Sequence, residues 1–217
     1  MKVILTGSTG FIGNEVLQQC LQHPSITSIV ALSRRDLPQH DKLKVAIMND
    51  FLSYPDAVRE EIKGADACIW TLGLIPSKIP KNDEAGTRRV SIEYTLTAAK
   101  EFEEHCQKPF RFIYVSGAGA ERGQDKPLWV MQDYRRLRGE VESGLLDFAE
   151  SKPDFSCYIM QPGLVLSRGM SLRNLVFGLA PSIRVDDMAR SMVDLALKGG
   201  EKRIWENDEM KERKGGA

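Results

Sequence analysis

The sequence predicts a doubly wound α/β fold, a parallel sheet covered on both faces by helices, on three observations. Short apolar runs recur along the chain, and segments of helical period separate most of them. The first run also breaks into a glycine-rich turn just before the first helical pattern. Folds of this class bind ligands beyond the carboxyl ends of their strands, so the residues after each run are where function is sought.

Six runs read as strands, each apolar and bounded by turn signals: KVILT, ITSIVALS, KVAIMN, DACIWTLG, FRFIYVS and FSCYIMQ. Helical patterns occupy 11–22, 84–105 and 127–151. A late helix over 185–198 carries Val185, Met188, Ala189, Met192 and Leu195 along one face. At 217 residues the chain is read as a single domain, 1–217, able to bury a sizeable core.

Composition narrows the function. Thirty basic residues balance thirty acidic ones, which argues against nucleic acid or an anionic membrane as a partner. No apolar run is long enough to span a bilayer, and MKVILTG turns too early for a secretory signal. Cys20, Cys68, Cys106 and Cys157 are far apart and read as reduced core thiols of a cytosolic protein. The three histidines lack metal-ligand spacing, so no metal is expected.

The turn TGSTGFIG places Gly7, Gly10 and Gly13 between the first strand and a helix starting near Phe11. Free N–H groups at a helix start, with glycines that let backbone come close, suit a pyrophosphate. A tight structural turn is the plain alternative. The second strand ends in Ser33, Arg34 and Arg35, a hydroxyl and two guanidiniums where a ribose 2′-phosphate would sit. That favours NADP(H) over NAD(H), unless Asp36 swings in or the arginines are merely solvated.

The spacing T-G-x-x-G-x-x-G, NDF at 49–51, WTLG at 70–73, QPG at 161–163 and VDDMA at 185–189 resemble the extended and atypical short-chain dehydrogenase/reductases. These are epimerase-like Rossmann proteins. YVSGAG and YRRLRGEVES look most like their small branch related to the Tat-interacting-protein oxidoreductases. The resemblance implies cofactor contacts from Gly7, Thr9, Gly10, Phe11, Ile12 and Gly13, from Asp50 and Phe51 at the adenine, and from Leu72, Gly73, Pro162 and Gly163. It further implies a catalytic tyrosine with a lysine four residues on, and a serine or threonine that binds the substrate oxygen.

Tyr134 fits the tyrosine, and a residue four later on a helix meets it. Position 138, however, is Arg138, whose planar fork is not equivalent to lysine, although it too would contact the cofactor. The hydroxyl position holds Gly117, so either Ser116 beside it serves in its place or no such hydroxyl is present. Tyr134 also shares a stripe with Val130, Val141, Leu145 and Phe148, and a packed aromatic is the competing reading. The segment PSKIPKNDEAGTRR is a flap over substrate or a surface connection. Residues 164–184 form a minimal substrate-side segment, in which Met170, Leu172, Leu175, Val176 and Phe177 wall an apolar pocket or meet a partner such as a second copy in a homodimer. A charged tail, 206–217, frays at its end.

The activity expected is hydride transfer to or from a small carbonyl or alcohol. The alternative is an NADP(H)-binding regulatory or scaffold protein without turnover.

Overall fold

Seven parallel strands form the central sheet of the computed structural model, which describes residues 1–79, 82–125, 127–168 and 181–213. Strand β1 (Lys2–Thr6) lies inside it, third from one edge. On one side follow β2 (Ser28–Ser33) and β3 (Leu43–Ile47). On the other stand β4 (Ala67–Trp70), β5 (Phe110–Val115), β6 (Phe155–Gln161) and, at the edge, β9 (Ile204–Glu206). The chain thus winds outward from β1 in one direction and returns to continue in the other. That reversal opens a crevice between the ends of β1 and β4. Strands β7 (Leu164–Leu166) and β8 (Ser182–Arg184) pair separately.

Strand periodicity divides the core in two. Ile4, Val30, Leu32, Trp70, Phe112 and Ile159 face α2 (Asp56–Ile62), α4 (Tyr94–His105) and α5 (Gln132–Glu150). Val3, Leu5, Ile29, Ile69 and Met160 face α1 (Phe11–Gln22) and α6 (Val185–Lys198). The first half is aromatic: Phe102 packs near Phe110 and Phe112, and Phe155 stacks on Phe110 with centroids 5.9 Å apart. Such rings bury large areas and favour offset or edge contacts. Burial on both sheet faces is why the strands read as continuous apolar runs.

The structure departs from the sequence reading at several ends. The expected helix over 127–151 begins at Gln132, because Met131 has φ +48° and no helix continues through that region. Val130 is therefore outside the helix and exposed, not on its inner stripe. The pattern over 84–105 is two helices, α3 (Glu84–Arg88) and α4, joined by a π-helical turn over Arg89–Glu93. Strand β4 stops at Trp70 because the Thr6 hydroxyl, not the neighbouring strand, accepts from the next N–H groups, of Thr71 at 3.2 Å and Leu72 at 3.3 Å.

Within the expected tail, 206–217, the described residues run to Arg213. They form α7 (Asn207–Glu212) with a reciprocal Glu206–Glu209 capping box. Arg213 then donates to Asp194 at 2.5 Å and lies over the Trp205 ring. Met170, Leu172, Leu175, Val176 and Phe177, expected to wall a pocket, lie outside the described residues, as do Pro80 and the last residues of the tail.

Candidate cofactor and active site

The crevice at the sheet reversal is assembled from the ends of β1 and β4. Thr71 Oγ1 donates to the Thr6 carbonyl at 2.7 Å, closing one end onto the other. Gly7 follows with φ +68°, a conformation side chains rarely adopt, and a Cβ there would overlap Thr71 Oγ1. Gly13, in the first turn of α1, lies against the Gly7 carbonyl and leaves no room for a Cβ. These two glycines are demanded by the fold itself. Gly10 is not, since a Cβ there would meet only the Gly7 carbonyl, at 3.1 Å, and the residue is exposed.

The start of α1 suits an anion. Gly10 is its N-cap with no side-chain hydrogen bond, and no acidic residue stands in the first turn. The N–H groups of that turn are thus left to an external acceptor. Ser8 is 2 % exposed and its Oγ has no partner among the described residues. A buried hydroxyl without a partner costs about 1–3 kcal/mol, which a bound group would recover. Thr9 and Phe11 are exposed beside it and Ile12 is half-buried. The residues present therefore fit a dinucleotide phosphate.

At the end of β2, Ser33 is buried and its Oγ accepts from the Arg35 N–H at 3.1 Å, while Arg34 and Arg35 are exposed. The Asp36 carboxylate accepts from the N–H of Leu37, at 2.9 Å, and is turned back on its own chain. Asp50 is exposed and caps the Leu52 N–H at 3.0 Å. Phe51 keeps its ring in the core, 2 % exposed and packed edge-on to Trp70 with centroids 5.7 Å apart. Only its backbone is left for a ligand.

Helix α5 carries the next residues. Arg138, 5 % exposed, reaches across to the ends of β4 and β5. Its Nε donates to the Tyr134 hydroxyl at 3.2 Å. Nη1 donates to the Tyr114 hydroxyl at 2.8 Å and the Val115 carbonyl at 3.2 Å, and Nη2 to the Leu74 carbonyl at 3.0 Å. Gly73 lies beneath the guanidinium, where a Cβ would come within 3.2 Å of Nη2. Leu72 is half-buried next to it. The guanidinium also lies over the Tyr134 ring, 5.2 Å from its centroid, which adds a cation–π attraction.

Ser116 is placed differently from expectation. It is buried and donates to Glu142 Oε1 at 2.5 Å, so its hydroxyl is engaged inside the protein. The position one residue on does face the tyrosine: a Cβ on Gly117 would lie 3.6 Å from the Tyr134 hydroxyl. Glu142 itself is wholly buried and accepts from Gln161 Nε2 at 2.8 and 2.9 Å. Burial pushes its carboxyl above the ordinary 4.5, against the pull of the Ser116 and Gln161 donors. Tyr134, Arg138 and Glu142 follow at four-residue intervals on one helix face. That spacing was the signal by which sequence alone could have found Glu142. Thr6, Ser8 and Thr71 had no such signal.

Pro162 and Gly163 are set by packing. The Pro162 carbonyl accepts from Ala118, the Gly163 N–H donates to Asn207 Oδ1 at 3.0 Å, and a Cβ on Gly163 would overlap the Pro181 carbonyl. On the far side of Tyr134 a cleft of about 710 Å³ runs between α3 and α5, lined by Pro76, Ile79, Thr87, Met131 and Leu137 among others.

Residues 7–155 match the NAD(P)H-binding family, and the chain belongs to it. Its fold is that of the short-chain dehydrogenase/reductase, epimerase-like Rossmann proteins. The leucinostatins biosynthesis cluster protein T of Purpureocillium lilacinum is 32 % identical over 182 residues, covering 76 % of this chain and 65 % of that one. This chain thus matches just under two thirds of that relative's length. The mitochondrial protein FMP52 of Candida albicans is 22 % identical over 218 residues, 92 % of this chain and 89 % of that one. Among solved structures, MoeE5 with UDP-glucuronic acid and NAD superposes at a TM-score of 0.72 with 17 % identity, covering 94 % of this chain and 75 % of that one. Gre2 from Candida albicans with NADPH reaches 0.72 with 15 % identity, over 95 % and 78 %.

Two outcomes follow from this geometry. Gly10→Val should abolish dinucleotide binding by fluorescence titration while the melting temperature stays within a few degrees of wild type; an unchanged titration would sink the phosphate site. Glu142 contributes stability that is fully present below about pH 4.5 and lost as pH rises through its raised folded value. Glu142→Gln should therefore gain stability relative to wild type as pH rises above 4.5 through the raised folded value, measured by urea unfolding. A gap independent of pH would contradict the raised carboxyl.

Proposed function

We propose that the protein is an NADP(H)-dependent oxidoreductase of the short-chain dehydrogenase/reductase type acting on a small carbonyl or alcohol. One observation carries the reading: Tyr134 lines the cleft with its hydroxyl accepting from Arg138 Nε, and a Cβ at Gly117 would lie in contact with that hydroxyl. Gly7, Thr9, Gly10, Ile12 and Gly13 would hold the pyrophosphate of the dinucleotide, and Ser8 Oγ would gain a partner there. Ser33, Arg34 and Arg35 would receive the 2′-phosphate, to which guanidinium offers paired donors. When bound, the cofactor supplies or accepts the hydride.

The chain's own residues manage the proton. Tyr134 gives its hydroxyl proton to the substrate oxygen as that oxygen gains charge, and recovers it in the reverse direction. The Nε–H of Arg138 stabilises the oxygen left behind, as a charge-assisted donor. Ser116 is held by Glu142, so it positions the end of β5 and leaves Tyr134 as the proposed proton donor. Arg138 is fully charged at any accessible pH and cannot itself relay a proton.

The second reading, an NADP(H)-binding regulatory or scaffold protein without turnover, is favoured by the number of structural bonds that Arg138 makes and by the glycine at position 117. The four free thiols support a reducing compartment. Burial pushes those of Cys20, Cys106 and Cys157 up to about 12, so they are inert. We assign the protein to the cytosol on this basis; a fluorescent fusion found in mitochondria, where the FMP52 relatives are named, would overturn that. Among the described residues no helix is long and apolar enough to cross a membrane.

Tyr134→Phe keeps the ring and should lower turnover about a hundredfold or more with NADPH binding intact, followed as NADPH oxidation against aldehydes, ketones and quinones. Turnover equal to wild type would remove Tyr134 as the proton donor, and tight NADPH binding with no turnover in either protein would favour the regulatory reading. NADPH should bind more tightly than NADH, and Arg34→Ala should erase roughly tenfold of the difference by calorimetry. Equal wild-type affinities would show that Arg34 only meets solvent.

A further inference from the structure

The large apolar side chains left exposed are not scattered. From Phe11 after β1 to Leu164 after β6, those among the described residues all lie at or past the carboxyl ends of strands. Three are consecutive: Trp129 is 98 % exposed, Val130 63 % and Met131 53 %. Exposed apolar runs of this kind mark a contact surface, since single exposed side chains need no explanation but a contiguous stretch does. The run ends in the one non-glycine residue with positive φ among the described residues, Met131 at +48°. Such conformations cost about 1–3 kcal/mol and are found where the fold holds a chain in place for a purpose. Here the bend leads directly into α5, with the Met131 carbonyl accepting from the Arg135 N–H at 2.9 Å.

Met131 and Tyr134 line the same cleft, and Pro76, Ile79 and Leu137 supply further apolar wall. Its charges do not favour an anion. Among the described lining residues three carboxylates, of Glu84, Asp133 and Glu140, face two guanidiniums, of Arg88 and Arg136. Arg88 is already held by Glu140 through bonds of 3.0 and 2.6 Å. A substrate carrying a carboxylate or phosphate would find its countercharge taken.

We propose that Trp129, Val130 and Met131 form an apolar flap that holds the hydrocarbon body of a neutral carbonyl substrate, with its reacting oxygen at Tyr134. This rests on the oxidoreductase reading and names its substrate class: an aldehyde or ketone with an uncharged alkyl or aryl chain. The occupant is a small molecule because the cleft of about 710 Å³ is the size of a ligand pocket and runs up to the Tyr134 ring. Trp129, almost fully exposed, is the residue with the most surface to gain when the flap covers a ligand.

The test uses the full chain with saturating NADPH and a series of straight-chain aldehydes from propanal to decanal. Each methylene buried under the flap should raise kcat/KM about threefold to fourfold, carried by KM, until the cleft is filled. Trp129→Ala should flatten that slope; because the side chain is exposed, the variant should melt as wild type does. A second readout needs no turnover. Octanamide should shift tryptophan emission to the blue and shield it from acrylamide in wild type but not in Trp129→Phe. A shift without turnover on any aldehyde would sustain the apolar flap and defeat the oxidoreductase reading. Turnover with no chain-length slope, a slope untouched by Trp129→Ala, or a preference for carboxylated aldehydes would overturn the flap and leave the oxidoreductase reading standing. Absence of both turnover and emission shift would defeat both.

Discussion

The carboxyl-end face of this protein is organised around one buried cation. Taking a guanidinium out of water costs several kcal/mol, and no carboxylate pairs with Arg138 among the described residues. The charge is met instead by phenolic and carbonyl oxygens from three places: Leu74 beyond β4, Tyr114 and Val115 in β5, and Tyr134 on its own helix. Hydrogen bonds to a charged group are worth about 1.5–3 kcal/mol each, so four of them can carry the burial. In doing so they fix the separation of β4, β5 and α5. Lysine, with a single ammonium, could not reach that many fixed acceptors in one plane. The departure from the family's residue is thus coupled to how this chain holds its sheet ends. The nearest buried countercharge on the helix is Glu142, one turn beyond, and it lowers the cost without touching the guanidinium.

A second fastening lies at the sheet reversal. Thr6 turns the N–H groups of Thr71 and Leu72 away from the β ladder, while Thr71 returns a bond to the Thr6 carbonyl. Gly7 and Gly13 then pack against this joint with no room for a side chain. The glycine turn is therefore held by the fold, and its open positions, Gly10 and the N–H groups of α1, are presented without further adjustment. Preorganised donors of this kind do not lose energy to rearrangement when an anion arrives.

The fold was legible because its period was strong. Strands buried on both faces leave continuous apolar runs, and Val185, Met188, Ala189, Met192 and Leu195 mark α6 by spacing alone. What was not legible was short or decided by tertiary contact. Strand β9 is three residues of edge pairing, and α7 is a short helix fastened where Arg213 reaches Asp194. The start of α5 could not be read because Met131 adopts a conformation that its residue type does not announce. Of the site, the glycine turn and the Tyr134–Arg138 pair were visible as motif and spacing. The role of Ser116 was not, since its partner Glu142 is twenty-six positions away. The place of Phe51 after β3 was legible, but not that an aromatic core claims its ring.

The central claim is that Arg138 fastens the ends of β4 and β5 to α5, and hydrogen–deuterium exchange on Arg138→Met tests it directly. Methionine fills similar volume without the donors. Amides over 71–79 and 114–121 should exchange at least about tenfold faster than in wild type, while those of β1 and β2 keep their protection. Unchanged exchange at those strand ends, or a uniform rise across the whole sheet, would contradict it.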